Sequence, residues 1–243
     1  MEKIKKKDFI ELKFTGIANN KIFDSNIEED LKTLDEKAKP QKVIICIGEA
    51  MVPQGLDKEL ENKELNKNYE VTITSKEAFG PRRRELIKII PLKSFIEQKV
   101  SPLPGMVFTL DNQLVKILAV SGARVTVDFN NPLAGKDITY KYKIVRVLSS
   151  EDEKEKVEEL FQFFFRFKPE FEIKENKIIL KGPKGFEMFI NAFKDKFKEL
   201  LDKELEFQEI SKEEMEVKLK EHEHSHEGHE HHEHTNEHEY QNT

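Results

Sequence analysis

The sequence of 243 residues lacks tryptophan, has a single cysteine, Cys46, and contains no apolar run near the roughly 20 residues that a membrane-spanning helix needs. One cysteine cannot form an internal disulfide, and its place in the apolar stretch VIICIG predicts a buried thiol without chemistry. The N-terminus, MEKIKKKDFIELKF, lacks the apolar segment and cleavage site of a signal peptide. We therefore expect a cytoplasmic protein.

A basic excess is also missing. The formal net charge is -6. Residues 221–243 contain glutamates but no lysine or arginine, so the rest of the chain is nearly neutral. The basic run GPRRREL (80–86) is too short to form a face that binds phosphate backbones. Neither nucleic acid nor a membrane is therefore expected as a partner.

What is present is a series of short strands around few helices. FIELKFTGI (9–17) and KIFDS (21–25) predict a hairpin that turns at Asn19 and Asn20, and KVIICIG (42–48) and NYEVTITS (68–75) predict two further strands. A polar, helix-prone segment ends at Pro40, and QGLDKELEN predicts a short helix after Pro53. The order of elements predicts an α+β fold, a half-barrel of strands around one short helix.

In this order the segments FTG, KIFDS, VIICIGEAMVPQGLDKEL, KEAFG and NPLAGKDITYKYKIVRV resemble the FK506-binding-protein (FKBP) family of peptidyl-prolyl isomerases. The resemblance implies an antiparallel half-barrel built from 1–82 and 131–149. The block between them, 83–130, has alternating strand patterns at 106–110, 114–120 and 124–129. It resembles the insert-in-flap domain of SlyD-type FKBPs, which implies a small β-rich inserted domain.

The resemblance also implies a shallow pocket for a prolyl ring and an enzyme that needs no cofactor for catalysis. Its residues would be Phe14, Phe23, Asp24, Val52, Pro53, Phe79 and Tyr140. The sequence departs from the family pattern at Phe79, where relatives have a tyrosine, at Pro53, which lacks an N–H, and at Leu56, where some members have tryptophan.

For the insert, the resemblance implies a chaperone surface that holds unfolded chains. The candidate residues are Ile89, Ile90, Leu92, Phe95 and Ile96. The alternative is that they form the small core of the insert itself, and the sequence does not distinguish the two.

Residues 150–212 predict a further α+β domain, with a helix from about Ser150, two short strands around Asn176, an amphipathic helix and a last strand. Eleven of the 18 phenylalanines lie between 151 and 210. So many aromatic residues indicate either a self-contained accessory domain or an interface that forms a homodimer.

The last segment, 213–243, is rich in His and Glu and is predicted to be disordered without metal. All eight histidines of the chain lie here: His222, His224, His226, His229, His231, His232, His234 and His238. Imidazole is a good ligand for Ni(II) and Zn(II), so we expect a tail that binds divalent metal ions, with a merely solubilising acidic tail as the alternative. SlyD-type tails often include cysteines, which are absent here.

These features together predict a folding enzyme and chaperone that rotates X-Pro bonds in unfolded or nascent polypeptides. Two alternatives stay open. One is a metal carrier or store on an FKBP scaffold, and the other is a holdase chaperone with weak isomerase activity.

Overall fold

The protein is described by a computed structural model that covers residues 3–110 and 113–210. Two compact units divide the chain after Phe163. No helix within these residues is long and apolar enough to cross a membrane. The α+β class predicted from the sequence is confirmed, with antiparallel sheets predominating.

The larger sheet of the first unit has five strands and is accompanied by two short helices. Its elements are β1 (Phe9–Ala18), β2 (Lys21–Ser25), α1 (Glu28–Leu34), β3 (Val43–Cys46), α2 (Gln54–Leu60), β4 (Asn68–Ile73) and, after the inserted strands β5 to β8 described below, β9 (Ile138–Val147). The sheet order is β2-β1-β9-β4, and β3 also pairs with β1. All of these pairs are antiparallel.

The hairpin between β1 and β2 turns at two asparagines that both have left-handed backbone angles, φ 51° at Asn19 and 59° at Asn20. Such a pair is typical of the tight turns whose twist matches that of paired strands. The predicted hairpin is therefore confirmed.

The helix predicted up to Pro40 is shorter, since α1 ends at Leu34. None of the residues of α1 is buried, and Asp35 is extended, with its carboxylate accepting a hydrogen bond from the Lys37 N–H at 2.9 Å. An aspartate that binds the backbone two residues ahead competes with the helix.

One face of the sheet packs on α2 and forms the main core. Its buried side chains include Ile10, Leu12, Ile45, Leu56, Leu60, Ile138 and Ile144. The predicted half-barrel around a short helix is thus present. Cys46 is also fully buried, as expected from its apolar neighbours.

The inserted block has its own sheet and core. Its elements are β5 (Ile87–Pro91), α3 (Leu92–Glu97), β6 (Val107–Leu110), β7 (Gln113–Ser121) and β8 (Arg124–Asp128). The antiparallel sheet has the order β5-β8-β7-β6. Phe95, Val115, Ile117, Val125 and Val127 are the buried centre of the insert.

After β9 the chain turns into α4 (Glu153–Phe165), preceded by a single 3-10 turn. Ser149 and Asp152 form a capping box there, in which the Ser149 N–H donates to the Asp152 carboxylate at 2.8 Å. Arg146 on β9 donates to Asp152 at 2.7 Å and to Glu11 on β1 at 3.0 Å. The helix start predicted near Ser150 is therefore present and tied to the sheet by ion pairs.

The second unit is a small α+β fold. It contains β10 (Phe171–Lys174), β11 (Lys177–Gly182), α5 (Glu187–Leu201) and β12 (Glu204–Glu209). β10 and β11 form an antiparallel hairpin, and α5 connects β11 to the parallel strand β12. Its buried apolar side chains include Ile178, Leu180, Ile190, Phe197 and Leu205.

Candidate functional site

Four of the predicted pocket residues form one group of rings, which we call the aromatic cluster: Phe14, Phe23, Phe79 and Tyr140. The ring centroids of Phe23 and Phe79 are 6.0 Å apart, those of Phe23 and Tyr140 6.3 Å, and those of Phe14 and Tyr140 6.2 Å. The two Phe23 contacts are edge-to-face. Tyr140 is buried, and the three phenylalanines pack half-buried against the same core. Such a group of apolar rings can enclose a small apolar ligand.

Phe23 enters the cluster because of a β-bulge between β1 and β2. Gly16 pairs with Asp24, but its neighbour Ile17 pairs with Ile22, so Phe23 is the extra residue of its strand. A bulge changes the direction of the side chains around it. On its other side Gly16 pairs with Tyr140 of β9, which brings the ring of Phe23 next to that of Tyr140.

The backbone of Phe14 is fixed by two buried side chains at the end of β2, Ser25 within the strand and Asn26 just after it. The amide oxygen of Asn26 accepts a hydrogen bond from the Phe14 N–H at 2.8 Å, and the Ser25 hydroxyl donates to the Phe14 carbonyl at 2.9 Å. Asn26 also donates to the Leu12 carbonyl at 2.7 Å. Ser25 and Asn26 therefore position a wall of the cluster, a role that the sequence reasoning missed, although Ser25 ends the KIFDS segment and Asn26 follows it directly.

Asp24 lies at the edge of the cluster, with much of its surface open to water. Partial burial of its carboxyl beside the rings raises the pKa of Asp24 above the usual 3.8, against a smaller lowering effect of a hydrogen bond from the Ser25 backbone. Burial, and next the charge of Asp24, raise the pKa of Tyr140 to about 12. The charge of Asp24 thus acts on Tyr140, and the tyrosine keeps its proton at neutral pH.

Val52 and Pro53, two further predicted pocket residues, lie at the start of α2. Val52 packs half-buried against the same core as the rings. Pro53 is half-buried at the N-cap of α2, where its carbonyl accepts a hydrogen bond from the Asp57 N–H at 3.0 Å. Its missing N–H costs the helix nothing at this position.

The turn that leads to Val52 is held by Asp57, a buried carboxylate that the sequence reasoning did not single out. Its two oxygens accept hydrogen bonds from the backbone N–H groups of Gly48 at 2.9 Å and Ala50 at 3.2 Å. Both donors have left-handed backbone angles, φ 91° and 53°. An acid at the start of a helix that binds back to the preceding turn is a sequence signal that could have revealed Asp57.

Two further apolar residues belong to the surroundings of the cluster. Leu56 on α2 is buried in the core, and Leu133 packs half-buried against it just before β9. Leu133 lies in the NPLAGK segment that carries part of the family resemblance. Its place in that segment could have revealed Leu133 from the sequence.

The five predicted surface residues of the insert do not lie on one surface. Phe95 is buried in the core of the insert, edge-to-face with Phe108 at 6.0 Å, and Ile90 and Leu92 pack half-buried against the same core. Only Ile89 and Ile96 are exposed, at 64% and 62%. The reason is alternation along the strand and around the helix, which turns neighbouring apolar residues to opposite sides.

Ile89 belongs to the outward side of the insert sheet, opposite the core. Ile89 pairs with Thr126 of β8, and both lie on this side. Val107 pairs with Lys116, and Leu114 pairs with Thr109, and these two pairs lie on the same side. Val107 is 50% exposed and Leu114 53% exposed. We call this side the open face of the insert.

Metal ligands were predicted only in the tail, and all eight histidines lie outside the described residues. Within 3–110 and 113–210, no group of three or more His, Cys, Asp or Glu side chains is placed to hold a metal ion.

Comparison with known families agrees with this geometry. The model of the FKBP-type peptidyl-prolyl cis-trans isomerase family matches residues 1–97, and the model of the IF domain of FKBP26 matches residues 88–133. The first match contains the FTG, KIFDS, helix and AFG segments, and the second covers β6, β7, β8 and all but the first residue of β5.

Relatives of known name match between about half and two thirds of the chain. A short-type peptidyl-prolyl cis-trans isomerase of Methanocaldococcus jannaschii is 28% identical over 62% of this chain and 98% of its own length. The FKBP-type isomerase SlyD of Vibrio cholerae is 32% identical over 51% of this chain and 64% of its own, and SlyD of Helicobacter pylori is 29% identical over 63% and 79%.

The chain therefore contains a domain of the FKBP-type peptidyl-prolyl cis-trans isomerases, a family of rotamases. Its relatives named SlyD and its IF domain mark it as SlyD-like. The family and the enzyme class predicted from the sequence are confirmed at this level, and catalysis in this family requires no cofactor.

Proposed function

We propose that this chain catalyses the rotation of X-Pro bonds in unfolded polypeptides, with the aromatic cluster as the site that receives the prolyl ring. The observation that carries the proposal is the convergence of Phe14, Phe23, Phe79 and Tyr140 beside one carboxylate, Asp24. Val52 and Pro53 complete the site at the start of α2.

The chemistry needs neither a nucleophile nor a proton shuttle. Rotation must break the amide resonance, against a barrier of roughly 18–20 kcal/mol. The twisted amide is less dipolar than the planar one, so a site that excludes water favours the transition state over the ground state. Asp24, at the edge of the rings, would orient the field on the carbonyl of the rotating bond.

Turnover of a short prolyl peptide by the purified chain tests this proposal, with Tyr140→Ala and Lys141→Ala as a matched pair. Tyr140 is buried in the cluster, whereas Lys141 is the next residue of β9 and is exposed. We expect kcat/KM to fall at least about tenfold in Tyr140→Ala and to stay within about twofold of the parent in Lys141→Ala. Equal kcat/KM in both variants would remove Tyr140 from the site.

We further propose that the insert, from about 83 to 130, holds unfolded chains on its open face and presents their prolines to the site in the 1–82 and 131–149 domain. Ile89, Val107 and Leu114 supply exposed apolar area on a sheet, which suits an extended apolar segment of another chain. If the pocket proves slow, because Phe79 has no hydroxyl, this surface alone would make the protein a holdase.

The histidine-rich tail supports a second activity, binding of Ni(II) or Zn(II), which would be independent of isomerisation. Eight imidazoles within 17 residues of chain (222–238) are a dense set of ligands for these ions. A metal store or carrier on this scaffold is the alternative function, and removal of the tail separates the two.

The domain at about 150–212 is proposed as an accessory module that can pair two copies. Two of its large apolar side chains are exposed, Phe167 at 38% and Met188 at 80%. Sedimentation of the parent and of Met188→Glu tests the dimer, and a monomer at all concentrations for the parent would refute it.

A further inference from the structure

The two chain segments that connect the insert to the pocket domain run side by side. Residues 80–86 lead into β5, and residues 128–135 leave β8. The Gly135 N–H donates to the Gly80 carbonyl at 2.8 Å, and a Cβ atom on Gly135 would lie only 3.3 Å from the Cβ of Arg82. The segments are therefore in direct contact at the end that faces the pocket domain.

Further towards the insert, the side-chain amide of Asn130 makes the two hydrogen bonds to Arg83 that a paired backbone residue would otherwise make. Its amide oxygen accepts a hydrogen bond from the Arg83 N–H at 2.8 Å, and its amide nitrogen donates to the Arg83 carbonyl at 2.9 Å. Next in line the Phe129 N–H donates to the Leu86 carbonyl at 2.9 Å, and the β5–β8 pairing then begins with Ile87 and Asp128. The Asn130 amide thus continues an antiparallel ladder where the strand has ended.

Asp128, the last residue of β8 and the partner of Ile87, bonds to both Arg82 and Asn130. One carboxylate oxygen accepts hydrogen bonds from the Nε and Nη2 atoms of Arg82 at 2.9 and 2.6 Å. The other accepts from the Asn130 backbone and side-chain N–H groups at 2.9 and 2.7 Å. Burial alone would raise the pKa of Asp128, but the bonds from Asn130 and Arg82 outweigh it and hold this pKa below its usual value.

Both connecting segments reach the prolyl site without a spacer. Phe79 of the aromatic cluster immediately precedes Gly80, and Leu133, which packs against the core under the cluster, lies two residues before Gly135. Any rotation of the insert about these segments would therefore move it relative to the site.

We propose that the side chains of Arg82, Asp128 and Asn130 form a linker clamp that fixes the orientation of the insert relative to the prolyl site. In this role they are positioning residues for protein substrates, because a chain held on the insert must reach the pocket while still bound. A short peptide binds the pocket alone and has no need of the clamp. The inference rests on the proposed function of the insert, and its geometric part can be tested separately.

The geometric test measures the distance between two spin labels in the full-length protein. Cysteines replace Lys93 on α3 and Lys141 on β9, both exposed, while Cys46 is fully buried and stays unlabelled. Asn130→Ala and Arg82→Ala remove clamp bonds. Arg83→Ala is the matched control, because the clamp uses only the backbone of Arg83 and its side chain is largely exposed. We expect one narrow distance in the parent and control, and a broad distribution in both clamp variants.

The functional test uses the same variants on a prolyl peptide and on an unfolded protein whose refolding is limited by a prolyl bond. We expect peptide turnover within about twofold of the parent and a loss of at least about fivefold on the protein in Asn130→Ala and Arg82→Ala. Arg82→Lys, which keeps the charge and one donor, should recover part of this loss.

Unchanged, narrow distances in both clamp variants would overturn the clamp. Broad distances with unimpaired action on the protein substrate would overturn its positioning role. A parent without turnover of the peptide would instead refute the proposed isomerase site, whatever the distances show. If Asn130→Ala does not fold, Arg82→Ala carries the test, since Arg82 is nearly half exposed.

Discussion

The ring of Phe23 lies so close to the backbone of Gly16 that a Cβ atom on Gly16 would come within 2.7 Å of the ring. Atoms at that distance cannot coexist, so either the ring or the strand would have to move. Glycine at 16 is thus a requirement of the bulge that directs Phe23 towards Phe79 and Tyr140.

The first prediction concerns this contact. Gly16→Ala should displace Phe23 and lower kcat/KM for a short prolyl peptide at least about tenfold, a loss of about 1.4 kcal/mol of transition-state stabilisation. It should also lower the melting temperature. Adding Phe23→Leu to this variant relieves the clash, so we expect stability to recover in part and activity to stay low. Recovery of full activity in the double variant would contradict a role for the Phe23 ring.

The second prediction follows from the raised pKa of Asp24. The folded protein holds this proton more tightly than the unfolded chain, so ionisation of Asp24 destabilises the fold as pH rises through the raised pKa. Asp24→Asn should therefore be more stable than the parent at pH 7, and this gain should vanish at a pH below the ordinary value of 3.8. Urea unfolding at the two pH values measures the difference.

The raised pKa of Asp24 also predicts how kcat/KM changes at acid pH. If the ionised carboxylate orients the carbonyl of the rotating bond, kcat/KM of the parent should decline towards acid pH with a midpoint above 3.8. Asp24→Asn should be slower at neutral pH and should lack this decline. A decline of the same midpoint in Asp24→Asn would assign it to another group.

The third prediction separates the open face of the insert from its core. Ile89→Ser and Leu114→Ser remove exposed apolar side chains, so they should leave the melting temperature nearly unchanged and weaken the suppression of aggregation of an unfolded client. Phe95→Ala empties a buried position and should cost about 3–5 kcal/mol of the stability of the insert. Undiminished client protection in the Ile89→Ser and Leu114→Ser double variant would place the binding surface elsewhere.

The fourth prediction concerns the tail. Neutral imidazole is the ligand form, and histidine has an unperturbed pKa of about 6.5, so Ni(II) or Zn(II) should bind at about pH 7.5 and be released towards about pH 5. We expect about two ions per chain, since each can take about four imidazoles. Truncation after Lys220 should abolish binding in calorimetric titration and leave peptide turnover intact. Unchanged affinity after truncation would locate the metal site in the folded part of the chain.

Much of the fold could be predicted because its strands carry clear alternation and its turns carry clear turn residues. Asn19 and Asn20 marked the first hairpin, and the three predicted strands of the insert correspond closely to β6, β7 and β8. β5 was not predicted. It ends in Pro91 and lies at the edge of the sheet, where proline is tolerated, so local composition gave little strand signal.

The rings of the site could be predicted only through the family resemblance, because their meeting depends on pairs far apart in the chain. What the sequence could not provide was the side of each element. Ile89 and Ile90 are adjacent and are both isoleucine, yet Ile89 is exposed and Ile90 packs on the insert core. Leu114 and Val107 were missed for the same reason, since the register of the β6–β7 pair decides which residues share a side of the sheet and composition does not show it.

The central place of β9 in the sheet has a consequence for the order in which the molecule is made. β9 pairs with both β1 and β4, yet it is synthesised after the whole insert, so the pocket domain cannot close until the insert has left the ribosome. The strands β5 to β8 are contiguous and pair only with one another, so they can fold first. In each new molecule, the surface that we propose for holding other chains can thus form while the pocket domain of the same molecule still lacks its central strand.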